Sequence, residues 1–319
     1  DYIFDELSDN YLKKSGLADI LTGVPVPIRK NEINSISTLT IAKGMAFVIG
    51  CDPGFKYEKN YVDYILRVSD KRFAAALVAE GVEGAQKRDY DYACVKFRAA
   101  MLIDPDNIDA VYCYGRALKD AYETADEEDF IARFKIESIE AFEEVTLRKP
   151  DFAEAYYFLG YGYINLGLYV KAKLTWQEFM KLSADEEKKK EISGLLDRLD
   201  DPVKIEEGYN KIISGHFEEG MSALAGYKEG PYKDWWPLWY YLGIAASELG
   251  RPEEAIEYYK KVLVLSPSNR DTMKEMVRAY EALCNNAMAD KYRKKITVIE
   301  ENAEKDRMEA LGEKGKTVS

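Results

Sequence analysis

Histidine is nearly absent from this 319-residue chain, which contains only His216. A single imidazole excludes a metal site built from several histidines, and a Ser-His-Asp or Cys-His catalytic group could use only that residue. His216 lies in a short SGHFEE segment between two predicted helices, so we expect an exposed turn residue, with a catalytic base as the alternative. The sequence also lacks GxGxxG, GxxxxGK[ST] and HExxH motifs, so nucleotide-binding and metalloprotease functions have no support.

Cysteine is scarce as well. The four residues Cys51, Cys94, Cys113 and Cys284 form no CxxC pair and show no zinc-ligand spacing. Such scattered cysteines are typical of reduced, buried thiols in a cytosolic protein rather than of a disulfide framework. Together with the single histidine, they predict that the protein binds no metal and uses no cofactor.

Basic residues are outnumbered by acidic ones, and the sequence has no long apolar run. The chain has 45 Lys plus Arg against 57 Asp plus Glu, a formal net charge of −12. Binding a phosphate backbone requires a basic face, so we predict no nucleic-acid partner. The longest uncharged stretch near the middle, residues 155–170, is interrupted by one Asn and three Gly. A membrane span needs about 20 apolar residues, so no membrane partner is expected either.

The residues that are abundant predict a folded chain. Hydrophobic residues make up 47% of the sequence, and tyrosine alone accounts for 24 residues. At about 150 residues per domain, the length fits two domains or one extended array. The first residues, DYIFDE, lack the basic start and apolar core of a secretory signal peptide, so the expected location is the cytoplasm.

Internal repeats organise most of the chain. Each repeat has a first helix, a turn and an amphipathic second helix, and most first helices contain a glycine. The six segments are 74–107, 108–152, 153–186, 201–235, 236–269 and 270–303, the last being degenerate. In the clearest copy, 236–269, the characteristic residues are Trp239, Leu242, Gly243, Ala255, Tyr259 and Pro267. This pattern resembles the tetratricopeptide repeat, a unit of about 34 residues with W-x2-L-G-x2-Y, A-x3-F and a final P.

The resemblance implies an all-α fold, a right-handed solenoid of helix-turn-helix repeats with an N-terminal helical cap. We expect the cap at residues 1–70, beginning with a helix over Tyr2–Leu12. The first half of the repeats would occupy 71–183 and the second half 201–303. A bridging helix is expected at 184–200, and a charged tail at 304–319.

Two segments depart from the repeat length. The second repeat, 108–152, exceeds the unit by about eleven residues. We expect two lengthened helices there, with Thr124 capping the second one. The other excess, between Ala184 and Leu199, predicts an additional helix whose charged start, Glu186–Glu191, is a solvated face.

The candidate binding site is a second stripe of side chains on the first helices of the repeats. Its members recur at helical spacing, and many of them are tyrosines. In tetratricopeptide repeats the matching stripe lines a concave groove that binds peptides, so the resemblance implies a groove formed by Tyr112, Arg116, Lys119, Tyr157, Tyr161, Asn165, Tyr209, Tyr240 and Arg278. The alternative is that these rings pack on neighbouring repeats or on a terminal helix of the same chain. Because the stripe is mostly Tyr, Ile and Ala, a clamp for the acidic tails of chaperones is not expected.

The sequence thus predicts a non-catalytic scaffold that binds a protein or peptide, and it leaves the oligomeric state open. A related alternative is a peptide-sensing regulator, in which bound peptide changes the curvature of the array. An alternative of another class is an acidic (α/α) hydrolase, which requires two carboxyl groups ~5–9.5 Å apart across a sugar. No pair of carboxylates stands out in the sequence, and the repeat spacing disfavours this alternative.

Overall fold

The computed structural model describes residues 2–30 and 36–314, which form seventeen helices and one two-stranded sheet. The predicted all-α helical-repeat fold is confirmed. The chain divides into two compact units, Asp1–Ile192 and Ser193–Ser319. Each unit contains its own series of antiparallel helix pairs and its own hydrophobic core.

The first unit begins with a small hairpin-like sheet instead of the predicted helix over Tyr2–Leu12. Strand β1 (Tyr2–Glu6) pairs antiparallel with β2 (Pro25–Arg29), and helix α1 begins only after the Ser8 cap. The prediction is therefore wrong for residues 2–6, because the pairing partner lies about twenty residues away and no local pattern reveals it. The remaining early helices are α1 (Asp9–Ser15), α2 (Ala18–Leu21), α3 (Thr38–Cys51) and α4 (Glu58–Ser69).

Three helix pairs follow in the first unit, and one additional helix then contains the boundary between the units at Ile192. The pairs are α5 (Arg72–Gln86) with α6 (Tyr90–Ile103), α7 (Ile108–Glu123) with α8 (Glu128–Arg148), and α9 (Ala153–Asn165) with α10 (Tyr169–Leu182). Helix α11 (Glu186–Leu196) lies where the sequence predicts an additional helix. The Ile192 side chain of this helix is fully buried.

The second unit contains three more pairs. They are α12 (Asp200–Ile213) with α13 (Phe217–Ala225), α14 (Trp236–Glu248) with α15 (Pro252–Leu265), and α16 (Arg270–Ala282) with α17 (Asn286–Lys314). Helix α17 has 29 residues and continues into the charged C-terminal sequence. The last part of the predicted tail, 315–319, lies outside the described residues.

The long second repeat gains its length inside the helices, as predicted, because α7 has 16 residues and α8 has 21. The predicted role of Thr124 is wrong, however. Thr124 ends α7, and its hydroxyl donates to the carbonyl oxygens of Asp120 and Ala121 at 3.2 and 3.1 Å. Helix α8 begins without a side-chain cap, and its first turn carries Glu128 and Asp129, which suit the positive end of the helix dipole.

Within the repeats, a glycine of the first helix contacts a large side chain of the second. A Cβ atom at Gly160 would lie 2.1 Å from Nε1 of the buried Trp176, so a larger residue would separate the two helices. The same contact occurs between Gly81 and Phe97, Gly115 and Phe142, Gly208 and Leu224, and Gly243 and Tyr259. Close packing of this kind makes each pair a rigid hairpin, which fixes the orientation of the outward stripe on its first helix.

Candidate functional site

A cavity of about 370 Å³ opens in the first unit where α7, α8 and α9 meet. Both aromatic or apolar residues and polar residues line it. The aromatic and apolar ones, here called the wall, are Tyr122, Ile139, Phe142, Tyr157, Phe158, Tyr161 and Gly162, and the polar ones are Lys119, Glu123, Ser138, Asn165 and Glu191. A volume of this size lies within the usual range for ligand pockets, ~300–1,000 Å³.

Tyr157 and Tyr161 form one wall of the cavity and are held by α11. They are one helical turn apart on α9, and their ring centroids are 5.2 Å apart. Tyr157 Oη donates to Glu191 Oε2 at 3.0 Å, and Tyr161 Oη donates to the other oxygen, Oε1. Burial and the Glu191 hydrogen bond raise the pKa of Tyr161. Both hydroxyls are therefore protonated donors at neutral pH.

The rings of Tyr157 and Tyr161 also pack on α10. The Tyr157 centroid is 5.3 Å from that of Phe179, and the Tyr161 centroid is 5.0 Å from that of Trp176. Both tyrosines remain partly exposed. They therefore combine packing within the repeat with a surface that a partner can contact.

Tyr112 and Arg116 do not line the cavity but contact its wall residue Phe158. The Tyr112 centroid lies 6.4 Å from that of Phe158 and 4.8 Å from that of Phe152. The Arg116 guanidinium carbon lies 4.1 Å from the Phe158 centroid, a cation–π geometry, and Nη1 donates to Tyr112 Oη at 3.4 Å. The buried Nε of Arg116 has no hydrogen-bond acceptor among the described residues.

One ion pair lines the cavity, and a second one lies beside Tyr157. Lys119 Nζ lies 2.6 Å from a carboxylate oxygen of Glu123 on the same helix. Lys188 of α11 lies 2.6 Å from a carboxylate oxygen of Glu154 on α9 and 5.1 Å from the Tyr157 centroid. Helix α11 thus contacts α9 at Glu154 and at two predicted groove residues, Tyr157 and Tyr161.

The structure divides the nine predicted groove residues between the two units. Lys119, Tyr157, Tyr161 and Asn165 line the cavity of the first unit, and Tyr112 and Arg116 contact its wall. The other three lie in the second unit. There Tyr209 stacks on Tyr241 at 4.7 Å, Tyr240 lies 6.1 Å from Trp236, and Arg278 forms an ion pair with Glu275 at 2.7 Å.

Sequence reasoning missed Glu191, Phe158 and Tyr122. Glu191 is exposed, as expected for a solvated charge run, and it also accepts both tyrosine hydrogen bonds. The signal that could have indicated this contact is the additional helix, which directly follows a repeat rich in tyrosine. Phe158 is hidden from a stripe analysis because it lies one position away from Tyr157.

The single histidine and the cysteines fall outside the site. His216 is exposed at the cap position of α13, as predicted for a turn residue. All four cysteines are free, but Cys51 and Cys284 are exposed, so the expectation of buried thiols is wrong for these two. Burial raises the pKa of Cys94 to about 12. No group of three or more potential metal ligands occurs within residues 2–30 and 36–314.

None of the helices that the structure describes combines the length and the apolar character needed to cross a membrane.

The geometry defines a helical-repeat protein whose first helices present an aromatic surface. Residues 236–269 match the tetratricopeptide repeat family, so the chain contains a tetratricopeptide repeat in its α14–α15 pair. Repeats of this kind are generally non-catalytic scaffolds that bind other proteins or peptides. No curated protein sequence matches the chain.

Several solved structures of tetratricopeptide-repeat proteins are similar to this chain. The TPR domain of P58(IPK) is 16% identical over 85% of this chain and 74% of that structure, with a TM-score of 0.47. MamA is 18% identical over 73% of this chain and 94% of its own, with a TM-score of 0.30. YrrB, described as a TPR protein with an unusual peptide-binding site, is 16% identical over 67% of this chain and 96% of its own, with a TM-score of 0.32.

Proposed function

We propose that this protein is a non-catalytic scaffold that binds a protein or peptide at the α9 tyrosine site. We define this site as the cavity between α7, α8 and α9 together with Tyr157, Tyr161, Lys119 and Asn165. The observation that carries the proposal is the convergence of two partly exposed tyrosines and a lysine on one open aromatic cavity. Tyrosine is enriched at binding hot spots because it combines a large apolar area with a polar tip.

Packing between α9 and α10 holds the backbone of the site in a fixed position. The Gly160–Trp176 contact locks α9 against α10, and Trp176 Nε1 donates to the Tyr157 carbonyl oxygen at 3.1 Å. The tyrosine wall is thereby held in place before a partner arrives. A preorganised surface loses less conformational entropy on binding.

The hydrolase alternative meets a chemical difficulty at this cavity. Two carboxylates, Glu123 and Glu191, line it. Glu123 is paired with Lys119, and Glu191 accepts hydrogen bonds from two hydroxyl groups. Both carboxylates are therefore engaged by side chains of the protein itself, whereas glycoside hydrolysis requires two carboxyl groups that face the sugar. We therefore favour binding over catalysis.

The domain division predicted from the sequence, with a cap at 1–70, repeats at 71–183 and 201–303, a bridge at 184–200 and a tail at 304–319, stays a prediction. So do the cytoplasmic location and the absence of nucleic-acid and membrane partners. A peptide-sensing role, in which bound peptide changes the curvature of the array, stays the alternative.

Replacing both Tyr157 and Tyr161 with alanine should weaken peptide binding at least about thirtyfold. Loss of one buried ring at an interface commonly costs ~2 kcal/mol, which corresponds to that factor. Peptides would be selected from a displayed random library on the immobilised protein, and their affinity for each variant measured by fluorescence polarisation. Tyr156→Ala provides the matched control, because Tyr156 belongs to the same helix but does not line the cavity.

The melting temperature of each variant is measured alongside its affinity. If the double variant binds the selected peptides as tightly as the original protein but melts much earlier, the tyrosines are packing residues and the site is misplaced. If the library yields no binders at all, the scaffold proposal itself fails.

A further inference from the structure

We propose that the α9 tyrosine site recognises a carboxylate of its peptide partner, and that Glu191 takes the place of that carboxylate in the free protein. This inference rests on the proposed function and names the chemical class of the ligand, an acidic peptide. Glu191 then acts as an intramolecular competitor that the partner must displace.

The hydrogen-bond geometry around Glu191 carries the inference. Tyr157 and Tyr161 stand at i and i+4 on α9, so their hydroxyls point from the same helix face. Each hydroxyl donates to a different oxygen of the same carboxylate. Two fixed donors that match the two oxygens of one carboxylate form a recognition element for that group, whichever chain supplies it.

Glu191 is placed so that it can be displaced. Its side chain is exposed, whereas its neighbour Ile192 is fully buried. Ile192 and the Lys188–Glu154 ion pair anchor α11, so the Glu191 side chain can swing away without loss of the helix. A partner therefore competes with two hydrogen bonds at the surface and leaves the packing of α11 intact.

The charges around the cavity favour an acidic ligand over a neutral one. Lys119 is paired with Glu123 at 2.6 Å and lies 3.8 Å from Asp120, and Lys188 is paired with Glu154 at 2.6 Å and lies 3.8 Å from Asp185. Arg116 lies against the wall residue Phe158, and its buried Nε has no hydrogen-bond acceptor among the described residues. When Glu191 leaves, the site therefore loses one negative charge while Arg116 remains beside the cavity. A carboxylate from the partner restores that charge, and a neutral peptide does not.

The remaining walls indicate what flanks the carboxylate. Ile139, Phe142 and Phe158 line the cavity beside the tyrosines and offer an apolar surface. An aspartate or glutamate with an apolar neighbour would place its charge on the two hydroxyls and its neighbour on these walls. Lysine-rich or wholly polar sequences would match neither surface.

Chemical rescue of Glu191→Ala by acetate tests the proposal on the full chain. With tyrosine labelled by ¹³C at Cζ, the substitution should shift the Tyr157 and Tyr161 resonances, because both hydroxyls lose their acceptor. Added acetate should reverse these shifts in a saturable manner, while acetamide, its neutral counterpart of similar size, should not. The wild-type protein should show no saturable change, because its own Glu191 is present at high effective concentration.

The Tyr209 and Tyr240 resonances serve as internal controls, since these residues lie in the second unit, and they should not move with acetate. A second measurement compares two selected peptides that differ only in glutamate and glutamine. The glutamate peptide should bind the Glu191→Ala variant about tenfold more tightly than it binds the wild-type protein. One charge-assisted hydrogen bond accounts for a factor of this size. The affinity of the glutamine peptide should differ little between the two proteins.

Equal effects of acetate and acetamide, or no rescue by either, would overturn the inference. Equal affinities of the glutamate and glutamine peptides for Glu191→Ala would overturn it as well. These results leave the proposed function standing if selected peptides still depend on Tyr157 and Tyr161. Conversely, rescue by acetate without any peptide binding would refute the scaffold function and leave a carboxylate site.

Discussion

Replacing Gly50 with alanine is expected to destabilise the first unit by about 3 kcal/mol, the upper end of the usual range for overpacking. Gly50 lies in the last turn of α3, where that helix contacts α6. A Cβ atom there would lie 2.2 Å from the carbonyl oxygen of Val95 and 3.0 Å from its Cγ1. The first of these atoms belongs to the backbone of α6, so a side-chain rotation cannot relieve the clash.

The matched control is Gly194→Ala. Gly194 is also inside a helix, α11, but a Cβ atom at this position would meet nothing within 4 Å. Alanine is a better helix former than glycine by about 1 kcal/mol, so this variant should be unchanged or slightly stabilised. Urea unfolding followed by circular dichroism gives the free energy of unfolding for both proteins. Equal effects of the two substitutions would show that the close α3–α6 approach does not matter for stability.

The part of the fold that the sequence predicts well is the part made by local contacts. Gly81 and Phe97, Gly160 and Trp176, and Gly243 and Tyr259 touch each other within single repeats. Because both partners of each contact lie within one unit of about 34 residues, their spacing recurs along the chain and is visible by inspection. The long α7–α8 pair is predictable for the same reason, since its extra residues keep a helical pattern.

Features that depend on distant partners were not predictable. Strand β1 pairs with residues beyond two intervening helices, and nothing in the sequence YIFDE distinguishes that strand from the start of a helix. Glu191 reaches the candidate site from a helix 30 residues after Tyr161, within a run of charges that is usually solvated. Thr124 could cap either of two helices, and the hydrogen bonds of α7 decide between them. Sequence patterns report which face of a helix is apolar, but not which element covers it.

This difference explains why the candidate site was only partly foreseen. Tyr157, Tyr161 and Lys119, which helical spacing assigns to one stripe, line the same cavity, because their placement follows from periodicity and repeat stacking. The acceptor of the two hydroxyls is contributed by α11, which belongs to no repeat. In the described part of the chain, the two rings pack on α10 of their own repeat, not on a neighbouring repeat or a terminal helix. Tyr157 and Tyr161 bind their own α11 and still line an open cavity.

Raising the pH above about 10 is expected to destabilise the first unit steeply through its buried tyrosines. Tyr61 and Tyr64 of α4 are fully buried. Their hydroxyls donate to the carbonyl oxygens of Pro25 and Thr38 at 2.6 and 3.2 Å. Burial raises the pKa of both tyrosines well above the ordinary value of about 10. They remain protonated in the folded protein at pH values where the unfolded chain has already released these protons.

The direction of the effect follows from proton linkage. Between the ordinary tyrosine pKa and the raised pKa values of Tyr61 and Tyr64, the folded state binds more protons than the unfolded state. The free energy of unfolding therefore falls as pH rises through this window, by up to about 1.4 kcal/mol per pH unit for each such tyrosine. Below pH 9 these two groups should contribute no pH dependence, because they are protonated in both states.

Urea unfolding of the wild type and of Tyr61→Phe/Tyr64→Phe between pH 8 and pH 11 separates these tyrosines from other groups that titrate there. The double variant should be less stable than wild type at pH 8, because two carbonyl oxygens lose their donors. Its stability should nevertheless decline less steeply above pH 10, so the difference between the two proteins should narrow as pH rises. Parallel pH profiles would mean that water reaches both hydroxyls in the folded state, and that the contacts of α4 with β2 and α3 are looser than their burial indicates.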